Sequence, residues 1–252
     1  MSEAEVRLEA LDLRRSFGGR PAVDGLNMQV LAGEIYGLVG PDGAGKTTTL
    51  RMLAGLLTPH GGSVRLLGRD PFSSDQKLRE NLGYVPQQYS LYGDLTIDEN
   101  LAFFREMYCL PREAFEKRRE RLLALTRLGA FGGRRADALS GGMYKKLALS
   151  CALLHEPKVL LLDEPTNGVD AVSRREFWDL LHDFLAEGMA IVLATPYMDE
   201  ASRCHRTGLL YEGRLLVEGP PGDLLRASGA ESFEALFLER VRERRAAEVR
   251  AP

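Results

Sequence analysis

A chain of 252 residues, 44% apolar and 27% charged, has the composition of an ordinary globular protein and enough length for a sizeable buried core. Its formal net charge of −3 supplies no global basic field for a nucleic-acid partner, and no apolar run approaches the roughly 18 residues of a membrane span. The N-terminus MSEAEVRLEA is acidic without signal-peptide character, and Cys109, Cys151 and Cys204 read as scattered reduced thiols of a cytosolic protein, so any membrane contact is expected to run through a partner.

Val6–Leu13 alternates apolar and polar residues, as a half-buried strand does. Two β-like runs follow, Leu26–Val30 and Glu34–Val39, around a turn at Ala32-Gly33. The second leads into GPDGAGKTTT (Gly40–Thr49) and a helical run to about Leu57, which Thr58-Pro59-His60-Gly61-Gly62 breaks. Val64–Leu67 and Leu82–Val85 read as further strands. From Ile97 to Leu154 the β-branched runs vanish in favour of charged, periodic stretches such as Pro111–Leu128, predicting an inserted helical subdomain. Val159–Asp163 and Met189–Thr195 are apolar enough to be buried strands, with a helix at Ser173–Ala186 between them. Gly208–Tyr211 and Arg214–Glu218 form a hairpin-like pair, and the charged tail Glu231–Arg250 reads as a solvated amphipathic helix. Strands alternating with helices predict a single α/β domain with a largely parallel sheet. Its expected parts are a core of residues 1–88 and 156–220, a helical subdomain of 89–155 and a helical tail of 221–252.

Gly40-Pro41-Asp42-Gly43-Ala44-Gly45-Lys46-Thr47 fits G-x-x-x-x-G-K-[ST], here between a strand and a helix. Glycines let the loop Gly40–Thr48 wrap a triphosphate, so that its exposed N–H groups point at phosphate oxygens with help from the following helix dipole. Lys46 is expected near the β- and γ-phosphates, and the Thr47 hydroxyl on Mg2+. The strand Val159–Asp163 ends abruptly in Asp163-Glu164-Pro165. Alone, this acidic pair reads as a strand reaching solvent. Beside a phosphate loop, Asp163 is expected to hold the metal through water and Glu164 to deprotonate the attacking water. Leu139-Ser140-Gly141-Gly142-Met143 opens a helix to about Leu154, with Ser140 as its N-cap. Met143, Leu147, Cys151 and Leu154 share one face, and Lys145 and Lys146 are expected on the other. Two glycines weaken a first turn unless something must approach closely, and bare N–H groups, a serine hydroxyl and a helix dipole make an anion site. One chain thus carries two phosphate-binding surfaces.

From residue 5 to about 228, LSGGM ahead of LLLDEP and downstream of GPDGAGKTT resembles the nucleotide-binding domain of an ABC transporter. A GTPase or nucleotide kinase shares the phosphate loop but lacks LSGGM. Ribosome-acting relatives carry two such domains, and chromosome or repair ATPases separate the motifs with coiled coils. The resemblance implies a P-loop NTPase core with an antiparallel β edge at the N-terminal side, and ATP with Mg2+ as ligands. Each ATP would be sandwiched between one subunit's phosphate loop and the other's Ser140-Gly141-Gly142. Partners are then a second ATPase subunit, identical or different, and transmembrane permease subunits, with the chain cytoplasmic and peripheral on the inner face of the membrane. Phe17, with Val23 behind it, matches the position that stacks on adenine. Gln87 matches the glutamine that senses metal and attacking water. Asn167-Gly168-Val169-Asp170 resembles the loop facing the partner subunit, and the segment Gln88–Leu95 matches the groove for the permease's coupling helix. The tail resembles those of drug-efflux motors, implying export. Two positions depart from the pattern. Met143 replaces a common glutamine, and Pro196 stands where the switch histidine donates to the γ-phosphate. Proline has no such donor, so slow hydrolysis at the chain's own phosphate loop, or a regulatory subunit with little hydrolysis, is expected.

Overall fold

The computed structural model describes residues 5–88 and 91–250, for the last three the backbone alone. Within the segment expected to receive a coupling helix, Tyr89 and Ser90 lie outside the described residues.

Two sheets share the chain. Strands β1 (Val6–Phe17) and β2 (Arg20–Leu31) form an antiparallel hairpin closed by Gly18 and Gly19, both at positive φ. Strand β3 (Ile35–Val39) leaves for the second sheet, and β4 (Gly61–Leu66) returns to pair with β1, giving the order β2-β1-β4. The second sheet adds β5 (Leu82–Val85), β6 (Val159–Asp163), β7 (Ala190–Thr195), β8 (Arg206–Tyr211) and β9 (Arg214–Gly219), in the order β5-β6-β7-β3-β8-β9. Only the β8–β9 pairing in it is antiparallel. This is the P-loop NTPase arrangement expected from the sequence.

The apolar runs explain the layering. Every residue of β3, β6 and β7 is buried, as strands covered on both faces must be. Successive side chains point to opposite faces. Leu160, Leu162, Ile191 and Leu193 pack against helices α3 (Ile97–Met107), α4 (Arg112–Thr126), α5 (Gly141–Leu153) and α6 (Ala171–Leu185). Val159, Leu161 and Val192 pack with Leu50 and Leu53 of α1 (Lys46–Leu53) and with Leu8, Leu13 and Leu26 of the antiparallel sheet. Helices α3 to α5 are inserted between β5 and β6, and a short α2 (Gln76–Arg79) precedes β5. Thr96 and Glu99 close a capping box that fixes where α3 begins. The chain ends in α7 (Pro221–Ser228) and α8 (Phe233–Arg250).

Two expectations are refined here. The face of α5 expected to carry Lys146, away from Met143 and Leu147, is covered: Lys146 is 7% exposed and ion-paired with Glu176 of α6, which Arg127 also meets at 3.1 Å. Its stem lies between helices because α5 is buried all round past its first turn. The tail is not simply solvated either. Phe233 and Leu236 are buried against Ala201, Leu209 and Leu224, so α8 closes a third small core at the far end of the sheet.

Candidate active site

Strand register sets the site. Val39 stands opposite Thr195, Ala194 opposite Asp163, and Val85 opposite Leu162, so the carboxyl ends of β3, β7, β6 and β5 lie level. Ligands of open α/β sheets bind at this edge. The loops leaving it carry Gly40–Lys46, Glu164 and Gln87.

Gly45 caps α1 at φ 108°, and a Cβ there would lie 2.3 Å from the Ala22 carbonyl oxygen, so only glycine fits. Lys46 is 4% exposed. Its ammonium donates to Gly40 O at 2.8 Å and Pro41 O at 3.0 Å and stands 3.3 Å from Glu164 Oε1. The Thr47 hydroxyl meets Asp163 Oδ1 at 3.0 Å. Burial pushes the Asp163 carboxyl above its ordinary value; Thr47's hydrogen bond pulls it down and Glu164's charge adds to the rise. Burial, with Asp163's charge second, lifts neighbouring Tyr84 to about 12.

Glu164 is the only left-handed residue of the acidic pair, at φ 49°, with its N–H bonded to Ala194 O at 2.9 Å. Such backbone strain persists where surrounding structure over-determines it. Its Oε2 accepts from Gln87 Nε2 at 2.7 Å and from Asn167 Nδ2 at 3.2 Å. A cleft of about 310 Å³ opens over these groups, lined by Asp42, Gly43, Gly45, Lys46, Thr47 and Thr48 together with Ala22, Gln87 and Glu164. Lys145, which does not line the cleft, braces Gln87 by donating to its backbone oxygen at 3.0 Å.

The remaining sequence candidates lie apart from this cleft. Phe17 is 49% exposed beyond its rim, with the Arg15 guanidinium 5.0 Å from the ring centroid. Val23 is 1% exposed and cannot touch a ligand; it packs beneath Gly45, and Ala22 is the residue that reaches the cleft. Ala44 likewise turns its methyl into the core. Ser140 accepts from Met143 N at 3.3 Å as the N-cap of α5, with Gly141 exposed beside it, and neither lines the cleft. Gly142 has a structural reason of its own: a Cβ there would lie 2.6 Å from Ser173 Cβ and Oγ. Gly142→Ala is therefore expected to destabilise by about 1–3 kcal/mol through overpacking, against the ~1 kcal/mol that helix propensity would return. Thermal denaturation reads the sign, and Ser173→Gly in the same chain is expected to restore the melting temperature.

The sequence model described as ABC transporter matches residues 23–167. The chain belongs to the ABC transporter ATP-binding family. It is 48% identical over 233 residues to the probable multidrug ABC transporter ATP-binding protein YbhF of Escherichia coli, covering 92% of this chain and 40% of that protein. It therefore spans about two fifths of that relative's length. Against the Nod factor export ATP-binding protein I of Paraburkholderia xenovorans it is 40% identical over 222 residues, 88% of this chain and 73% of that one. Among solved structures, an ATP-binding subunit of an ABC transporter superposes with a TM-score of 0.83 at 29% identity, covering 93% of this chain and 99% of the other. A dimeric bacterial ABC transporter cassette superposes at 0.76 and 26% identity over 84% and 98%. No helix among the described residues of this ABC domain is long and apolar enough to cross a membrane.

Proposed function

We propose that this ABC domain binds magnesium-ATP in the cleft above Lys46 and hydrolyses it as one half of a pair of ATPase subunits, driving export through membrane permease subunits. The observation that carries the reading is the convergence of Lys46, Thr47 with Asp163, and Gln87 with Glu164 on one cleft at the carboxyl edge of the sheet. Lys46 meets the β- and γ-phosphates, and the loop amides cradle them. Glu164 accepts the proton of the attacking water, which Gln87 helps orient, as the new P–O bond forms and ADP leaves.

The donor set suits a small hard cation. A hydroxyl and a carboxylate, Thr47 and Asp163, stand together, and no group of three or more His, Cys, Asp or Glu among the described residues could cage a metal alone. Mg2+ is commonly held by one or two protein oxygens, with waters and substrate phosphates completing its shell. When bound it would neutralise phosphate charge.

Pairing is supported by the exposure of Ser140 and Gly141 away from the chain's own cleft, which leaves their anion site for a second subunit's nucleotide, and by the dimeric cassette among the structural neighbours. Export is supported by the names of the relatives, and a peripheral place on the cytoplasmic face follows from permease partners. Phe17 is proposed to meet the adenine, with Val23 beneath the loop. The test is turnover of magnesium-ATP by the purified chain. Tight binding without turnover would favour a regulatory subunit that needs a complete ATPase partner, a reading Pro196 supports. Pro196→His is expected to raise kcat by about tenfold or more, since one transition-state donor is typically worth ~100-fold. Equal wild-type and variant rates would show that the missing donor is not limiting.

A further inference from the structure

Pro196 offers no donor, yet the residue after it reaches Glu164 through one intermediary. Tyr197 Oη donates to Asn167 Oδ1 at 3.3 Å, and Asn167 Nδ2 donates to Glu164 Oε2 at 3.2 Å. The chemistry fixes the direction of this chain. A carboxylate only accepts, so Asn167 must turn its NH2 towards Glu164 and its oxygen away. The tyrosine hydroxyl donates to that oxygen and so favours the amide orientation that serves Glu164. Turned over, the amide would set oxygen against carboxylate oxygen.

Tyr197 is itself held from several sides. Its backbone N–H donates to Thr195 Oγ1 at 3.1 Å, and the Thr195 carbonyl accepts from Gly40 N at 3.1 Å, tying this turn to the start of the phosphate loop. The Arg174 guanidinium lies 5.0 Å from the ring centroid and is anchored by Asp199 at 3.3 Å. The bonds on Oε2 from Gln87 and Asn167 leave Oε1 as the oxygen beside Lys46. An oriented base needs its carboxylate fixed in this way, because proton transfer depends on geometry before it depends on basicity.

We infer that Tyr197 is a positioning residue for hydrolysis: its hydroxyl orients the Asn167 amide, which holds the Glu164 carboxylate towards the cleft. The inference rests on the ATPase reading, in which Glu164 accepts the proton. Tyr197→Phe keeps the ring against Arg174 and removes only the hydroxyl. It is expected to lower kcat about five-fold, the size of one net hydrogen bond, with KM for ATP and melting temperature unchanged. Asn167→Ala is expected to lower kcat at least as far, and adding Tyr197→Phe to it should change nothing more. An unchanged kcat in Tyr197→Phe, or the same loss in both backgrounds, would overturn the relay. A second arm needs no turnover. The Asn167 side-chain NH2 signals, assigned by NMR through Asn167→Asp, should shift and exchange faster with water in Tyr197→Phe. Unmoved signals would overturn the relay whatever the kinetics. Shifted signals in a wild-type chain that hydrolyses no ATP would uphold the relay and count against the ATPase reading alone.

Discussion

Glu164→Gln is expected to lower ATP turnover by a factor on the order of 10² to 10⁴, the contribution of a positioned general base, while leaving ATP binding within a few-fold of wild type. The substitution is close to isosteric, and the backbone that sets the side chain is fixed independently by the Glu164 N–H to Ala194 O at 2.9 Å and by Asn167 N to Glu164 O at 3.2 Å. What changes is chemistry. A glutamine amide accepts no proton at neutral pH, and it must choose which end faces the donors. Its oxygen suits Gln87 and Asn167, which leaves its NH2 towards the Lys46 ammonium where Oε1 stood 3.3 Å away. Both orientations lose at least one favourable contact, so the variant also carries a small cost in local order. Steady-state kcat with a separate nucleotide titration separates the two effects. Turnover within about threefold of wild type would move the base away from Glu164, because a base removed from such a site costs at least ~100-fold.

Much of the fold was legible because its most buried strands are its simplest sequences. The predicted β5 and β6, Leu82–Val85 and Val159–Asp163, coincide with the observed bounds, since short apolar runs between turn residues leave little choice. The antiparallel hairpin was harder. β1 extends to Phe17 and β2 begins at Arg20, well beyond the expected Val6–Leu13 and Leu26–Val30. Register shifts between Ala10 and Leu13 and again beside Arg14 break the alternation, and Asp12 sits at φ 47°. Charged residues there are paired across strands, as Arg14 is with Asp24 at 2.6 Å, and that pairing has no local signature. The same limit hid the Lys146–Glu176 pair, whose members come from different helices, and the packing of α8 on Ala201 and Leu209. In the site, the motifs named the residues that converge, because glycines, lysine and the acidic pair are locally specified. Asn167, expected only at a partner surface, turned out to touch Glu164, and Lys145 to brace Gln87. The first is local, three residues apart in one turn, but the motif pattern says nothing of which way that amide points; the second joins α5 to the loop after β5 across 58 residues, which no spacing in the chain encodes.

Lys46→Ala is expected to weaken magnesium-ATP binding by about 100-fold or more, since a desolvated charge pairing with phosphate is worth several kcal/mol at a protected site. It should also destabilise the free protein. Lys46 is a buried cation held by Gly40 O at 2.8 Å, Pro41 O at 3.0 Å and Glu164 Oε1 at 3.3 Å, with the exposed Asp42 Oδ1 farther off at 3.9 Å. Removing one partner of a buried ion pair costs about 3–5 kcal/mol where the remaining charge stays dry. The cleft lets water reach Glu164, and its bonds from Gln87 and Asn167 remain, so the lower part of that range or below is expected. The two effects separate in one experiment. In a thermal melt without ligand the variant should unfold at a lower temperature than wild type. With magnesium-ATP added, the wild-type curve should rise by an amount that grows with the logarithm of ligand over Kd, while the variant's should barely move at the same concentration. A variant that melts early but is stabilised by ATP as strongly as wild type would make Lys46 a loop brace alone, and would shift phosphate binding onto the backbone amides from Gly43 to Thr48.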